Sequence, residues 1–258
     1  MITKECLINE IQYLIDEYIQ DLSSPIDSFL EEHILTSTFY KLQEGSQIVG
    51  YYAIHNNELL TQFYISRPYQ KYSQRMFNQV LESNSVKSLF VPTCDELYVS
   101  LALDMNFTIN KQAYFFQDNQ VGIVESNLPN DESFRAANLV DLQQIQHICG
   151  DFLDYYERRI AAGELFTYYR GSVLLGIGVV EKSKMIQGIA SIGMFTNEAY
   201  RKQGIGRVII IQLRKWCDEQ GIKPVSGCWY YNEASKRTLE SAGMVTKTRL
   251  LKMDVNSK

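Results

Sequence analysis

Residues 193–207 read GMFTNEAYRKQGIGR, and Val208, Ile209, Ile210 and Ile211 follow directly. The pattern is a strand, a short basic turn holding Gly204 and Gly206, and the start of an apolar helix. A glycine turn at a helix start leaves backbone N–H groups free beside the positive end of the helix dipole, which makes a ready anion site. Glycine also lets a phosphate approach the backbone with no Cβ in the way. Arg201, Lys202 and Arg207 add positive charge here, on a chain whose net charge is −5.

Three phosphate-binding patterns compete for this stretch. A dinucleotide fingerprint needs a third glycine in the helix, where Ile209 stands. A nucleotide P-loop needs Gly-Lys-Ser/Thr, and Gly206-Arg207-Val208 is different, which disfavours a nucleotide-binding module. The remaining pattern, R-x-x-G-x-G after a strand, resembles the acyl-CoA pyrophosphate loop of the GNAT N-acyltransferase superfamily. The segment NEASKRTLESAGM, from Asn232, resembles that family's N-x-x-A-x-x-L-Y-x-x-x-G-F helix. The likeness runs from Phe134 to about Asp254.

The resemblance implies acetyl-CoA as co-substrate and assigns residues by position. Met194, Phe195 and Thr196 would offer backbone groups to the pantetheine arm. Arg201, Lys202, Gln203, Gly204, Ile205, Gly206 and Arg207 would hold the pyrophosphate. Asn232 and Ser235 would sit near the pantetheine end, and Asn232 also reads as a plain helix N-cap. The chain departs from the family in two places. The tyrosine that often protonates the leaving thiolate falls at Leu239, and the strand position that often carries a base glutamate falls near Ser191. No catalytic acid or base is therefore named; Tyr230, Tyr231, Cys228 and Glu198 are the neighbours in sequence. Acyl transfer tolerates that loss. A thiol pKa near ~8.5 puts the thiolate only about 2 kcal/mol above the thiol at neutral pH. A backbone N–H can hold the oxyanion, and positioning can supply much of the rest.

Working outward, the 258 residues suit two domains of about 130. The polar stretch ESNLPNDES reads as a linker over 125–133. The expected organisation is a first domain over 1–124 and a second over 134–258. Both halves give one order: helices, three strands, helix, strand, helix, strand. Residues 5–22 carry helical apolar spacing through Ile8, Ile11, Leu14, Ile15 and Tyr18. Glu44-Gly45 and Asn56-Asn57 punctuate the strands that follow as hairpin turns. Tyr69-Gln70-Lys71 echoes Tyr200-Arg201-Lys202, and Asp95 echoes Asn232. The expected fold is mixed α/β: two tandem GNAT-like domains, each a mainly antiparallel sheet flanked by helices. The first copy has lost its loop, because Ser73 and Arg75 stand where Gly204 and Gly206 do. It would wall a substrate cleft or take the place of a second subunit in a pseudo-dimeric monomer.

Composition sets the outer limits. Hydrophobic residues are 45% and charged residues 21%, the balance of a globular chain that folds without staples. Twenty-five basic against 30 acidic residues lack the overall footprint of nucleic-acid binding. They favour a cationic small molecule instead. Five scattered cysteines without C-x-x-C and three scattered histidines read as reduced thiols in the cytoplasm and no metal site. No apolar run is long enough to span a membrane. The reading is an acetyl-CoA-dependent N-acetyltransferase acting on a small-molecule amine by direct attack. Its alternative is a non-catalytic acyl-CoA-binding or regulatory protein. Polyamine, amino sugar, amino acid and protein lysine all remain open as acceptor.

Overall fold

A computed structural model of the chain describes residues 2–119 and 128–255. They fall into two compact units: 1–115 together with 247–258, and 116–246. Residues 125–127 of the expected linker lie outside the described residues, and its last two residues, Glu132 and Ser133, already belong to a strand.

The first half runs β1 (Ile2–Cys6), α1 (Gln12–Asp21), α2 (Ser28–Leu35), β2 (Thr38–Glu44), β3 (Gln47–His55), β4 (Leu59–Ile65), α3 (Ser73–Ser83), β5 (Ser88–Pro92), α4 (Glu96–Leu103) and β6 (Thr108–Asp118). Strands β1 to β4 pair antiparallel in sequence order. The β3–β4 hairpin turns on Asn56 and Asn57, at φ 50° and 62°. Two consecutive left-handed residues match the twist of the strands they join, and asparagine tolerates that conformation. Phe63 meets Phe77 edge-on, and Phe77 meets Tyr98 likewise, so the inner face of the sheet is closed by α3 and α4.

The expected first helix over 5–22 is shorter than its apolar spacing suggests. Ile2–Cys6 is instead a strand, paired with β2 from Ile2↔Gln43 to Cys6↔Phe39. Helical periodicity is real from Ile11 onward, where Leu14, Ile15 and Tyr18 are buried. Ahead of it the exposed edge of β2 offers unpaired backbone groups, and pairing satisfies them.

The second half runs β7 (Glu132–Ala136), α5 (Leu142–Cys149), α6 (Tyr156–Ala161), β8 (Leu165–Arg170), β9 (Val173–Lys182), β10 (Ile189–Thr196), α7 (Ile205–Glu219), β11 (Lys223–Trp229), α8 (Glu233–Ser241) and β12 (Met244–Asp254). β7, β8, β9 and β10 are antiparallel neighbours. Gly163, Gly221 and Gly243 follow helix ends at φ 69°, 65° and 84°, the left-handed stop that glycine adopts without strain.

The end of β12 goes elsewhere than its sequence neighbours. Leu250 to Asp254 pair antiparallel with Pro92 to Ser88 of β5, and Met253 joins the core of the first unit. Residues 247–258 accordingly group with 1–115 in the first compact unit.

All five cysteines are buried and free. Alkylating the denatured protein without reductant is expected to modify five thiols. A disulfide in fresh, unoxidised protein would overturn this. No helix among the described residues is long and apolar enough to cross a membrane.

Candidate functional site

The site is built on a fork between two strands of the second unit. β10 pairs with β9 along its length, from Ala190↔Lys182 to Thr196↔Gly176. Its parallel pairing with β11 covers only Ile189↔Lys223, Ala190↔Pro224 and Ser191↔Val225. Beyond Ser191 the backbone of 192–196 keeps its register with β9 alone. Such a strand edge can hydrogen-bond an extended ligand as a neighbouring strand would. Met194, Phe195 and Thr196 lie on this edge.

Two glycines that the sequence analysis passed over make the geometry possible. A Cβ on Gly176 would stand 2.4 Å from the carbonyl oxygen of Phe195, and one on Gly178 would press on Leu213 of α7 at 3.0 Å. β10 and α7 can therefore close on β9 only because both positions lack a side chain. The signal lies in the sequence VLLGIGVV at 173–180, where two glycines interrupt an apolar strand. Asn197 was also missed. Its Nδ2 donates to the Leu174 carbonyl at 3.0 Å, and its Oδ1 accepts from the Ala199 amide at 3.2 Å, so it pins the end of β10.

The turn that follows carries Lys202 at φ 64° and Gly204 at φ 82° before α7 begins. Left-handed residues interleaved with right-handed ones aim successive N–H groups into one concavity. No side chain caps the first turn of α7, so its amides face outward. At Gly206 a Cβ would meet Thr238 Cγ2 at 3.1 Å, Thr196 Oγ1 at 3.2 Å and Met194 Cε at 3.7 Å. That glycine joins the end of β10 to α7 and α8. The arrangement fits a pyrophosphate: free amides at a helix start, open backbone at Gly204, and basic side chains around it.

The basic side chains are not equivalent. Arg201 is ion-paired with Glu198 at 2.9 Å and lies 5.7 Å from the Phe195 ring centroid. Arg207 donates from Nε to the carbonyl of Ser241 at 2.8 Å, which turns it toward the end of α8. Lys202 and Gln203 are exposed, whereas the Ile205 side chain is buried in the core and offers only its amide.

On the other arm of the fork, Asn232 caps α8, accepting from the Ser235 amide at 3.0 Å. Cys228 approaches the carbonyls of Trp229 and Asn232 at 3.4 and 3.5 Å, and burial pushes its thiol up. A thiol so held is a structural group rather than a nucleophile. Leu239 is fully buried and has no proton to give. Ser191 is buried at the point of the fork. Trp229, Tyr230 and Tyr231 form an aromatic cluster at the end of β11, with centroids 5.1 and 5.2 Å apart, and Trp229 and Tyr231 are exposed. Glu198 is held by Arg201. Among the described residues no group of three or more His, Cys, Asp or Glu side chains could hold a metal ion.

The first unit has a similar fork and a different turn. β4 pairs with β5 only at Leu59↔Ser88 and Leu60↔Leu89. The segment entering α3 is a 3-10 turn of right-handed residues, and the Ser73 amide donates to the Gln70 carbonyl. Arg75 lies 3.6 Å from Glu44 and over the Tyr72 ring. With no left-handed residue there, the N–H groups do not converge.

Residues 7–119 match a family described as an acetyltransferase (GNAT) domain, and residues 132–244 match the acetyltransferase (GNAT) family. Among solved structures, a GNAT-family acetyltransferase from Colwellia psychrerythraea superposes with a TM-score of 0.89 at 20% identity, covering 99% of this chain and 100% of that one. A tandem GNAT protein from the clavulanic acid biosynthesis pathway gives 0.66 at 10% identity, over 100% and 99% of the two chains. A GCN5-related N-acetyltransferase from Sphaerobacter thermophilus gives 0.65 at 11% identity, over 98% and 94%. No curated protein matches the chain.

Proposed function

Because the chain belongs to the GNAT acetyltransferase family through both of its halves, we propose that its second unit moves an acetyl group from acetyl-CoA to the amine of a small cationic acceptor. The observation that carries this reading is the fork opening at Ser191 and Val225 beside the glycine turn of α7. In it, the amides around Gly204 and Gly206, with Arg201, Lys202 and Gln203, hold the pyrophosphate. The free edge at Met194, Phe195 and Thr196 takes the pantetheine amides. Asn232 and Ser235 stand at the far end, and Arg207 fixes α8 from its last turn.

The proposed reaction is direct. The neutral amine forms a C–N bond at the thioester carbon, the C–S bond breaks, and the amine proton leaves to solvent while CoA departs as thiolate. An amide of the 192–196 edge is the donor available to the oxyanion. No side chain is assigned as acid or base. Five free buried thiols support a reducing, cytoplasmic setting.

The test is acetyl-CoA turnover with a panel of amines, following thiol release. Turnover with any amine supports the enzyme. Calorimetric binding of acetyl-CoA with no turnover across polyamines, amino sugars, amino acids and lysine peptides favours the non-catalytic alternative, which Leu239 and Ser191 motivate. Calorimetry also isolates the loop. CoA is expected to bind far more tightly than unphosphorylated pantetheine at moderate salt, and equal affinities would mean that residues 201–207 are no phosphate site.

A further inference from the structure

The fork of the second unit has two faces, and they differ. Counting on from the last pair, Ser191↔Val225, sets Gly193 level with Gly227, Met194 with Cys228, and Phe195 with Trp229 on the two arms. Successive side chains of a strand point to opposite faces. Met194 lies against the start of α7, its Cε 3.7 Å from where a Cβ of Gly206 would stand. Cys228 lies against the cap of α8, its Sγ 3.5 Å from the Asn232 carbonyl. That face belongs to the two helices of the candidate donor site.

The opposite face is the one that α5 and α6 cover elsewhere. Phe195 packs against their core and meets Phe152 at 4.9 Å. At the fork itself this face is open. A Cβ on Gly193 would meet nothing within 4 Å, and Gly227 is exposed. The floor is therefore two glycines, one on each arm. Farther out stand two aromatic walls. Phe195 is held by Phe152 and by Arg201, 5.7 Å from its ring centroid, and Trp229 meets Tyr231 edge-on at 5.1 Å. Trp229 is 58% exposed and Tyr231 62%. Two large rings left in water beside an open floor present apolar surface that a planar apolar body would cover.

We propose that this face is the acceptor's side of the fork, and that the acceptor is an arylalkyl primary amine whose ring covers Trp229 while its nitrogen reaches the glycine floor. The inference rests on acetyl transfer in the second unit and adds the class of acceptor to it. The absent side chains at 193 and 227 let the nitrogen approach a thioester held along the edge of β10. The ring level and the floor level lie about 6–7 Å apart along a strand, a span that an ethyl or propyl chain covers between ring and nitrogen. An amine without a ring reaches the same floor and leaves Trp229 in water.

Calorimetry on the full chain with saturating CoA, which cannot react, tests this with 2-phenylethylamine and tryptamine against n-butylamine and 1,4-diaminobutane. The ring-bearing amines are expected to bind about tenfold or more tightly, and acetyl-CoA should acetylate them. Trp229→Ala should weaken their binding about tenfold, and Trp229→Phe, which keeps a ring, should weaken it less. The residue is exposed, so both variants should fold, and both should bind CoA as the wild type does. Absence of CoA binding to the wild type would overturn acetyl transfer in this unit, and this inference with it. With CoA bound, equal or tighter binding of the ring-free amines, no acetylation of the ring-bearing ones, or unchanged affinity for them in Trp229→Ala would each overturn this inference alone. Weakened CoA binding in Trp229→Ala would assign the ring to the cofactor and overturn it as well.

Discussion

In the Gly206→Arg protein, acetyl-CoA is expected to raise the melting temperature far less than in the wild type. The glycine stands where α7 begins, and a side chain there closes the backbone to a phosphate. The first half carries Arg75 at the matching place, where the turn is right-handed and the guanidinium lies over Tyr72. We expect acetyl-CoA affinity to fall about a hundredfold, close to 2.7 kcal/mol. The variant is also less stable without ligand, because the new Cβ would stand 3.1 Å from Thr238 and 3.2 Å from Thr196. Overpacking of this kind costs about 1–3 kcal/mol. The readout is therefore each protein's ligand-induced shift against its own unliganded melt, which mass action makes a measure of affinity. If the variant retains the full shift, Gly206 is no part of the donor site, and the proposed chemistry of the second unit fails with it.

Asp95→Asn is expected to be more stable than the wild type at pH 8, by a margin that shrinks as the pH falls. Burial pushes the Asp95 carboxyl up to about 7 from an ordinary 3.8; the Tyr98 amide opposes this, while Asp21 and Glu96 add to it. The sign follows from proton uptake. Between those two values the folded chain holds a proton that the unfolded chain has released, so this group's contribution to stability falls as pH rises and levels off above about 7. Asparagine cannot ionise and keeps the cap to the Tyr98 amide. Its advantage over aspartate should grow by about 2–3 kcal/mol between pH 5 and pH 8. The buried amide it leaves without an acceptor costs about 1–3 kcal/mol at both values, so the pH-dependent difference is the quantity to read. Urea unfolding of both proteins at the two pH values measures it. A margin independent of pH would mean that Asp95 is not desolvated.

The features legible in the chain alone are local. The glycine turn between Tyr200 and Val208, the caps at Asp95 and Asn232, the Asn56-Asn57 hairpin and the glycine stops at 163, 221 and 243 are each set by one or two residues and the backbone conformation they allow. The tandem order of elements was legible for the same reason, since each element announces its own period and punctuation. The candidate donor loop could be read because its chemistry resides in consecutive backbone N–H groups.

Tertiary structure alone decided which partner each of these pieces found. The first strand, Ile2–Cys6, forms because the edge of β2 is there to pair with it, and nothing within those five residues says so. The end of β12 pairs with β5, some 160 residues earlier in the chain, because a strand carries no address beyond its alternation. Arg201 and Arg207 look alike in a basic turn, yet one is held by Glu198 and the other by the Ser241 carbonyl. Asp95 and Asn232 make the same cap, but burial leaves Asp95 Oδ2 without a partner among the described residues, while Asn232 remains exposed. Hydrogen-bond capacity belongs to the residue. Whether water, a backbone group or a ligand meets it depends on which distant elements the fold packs around it.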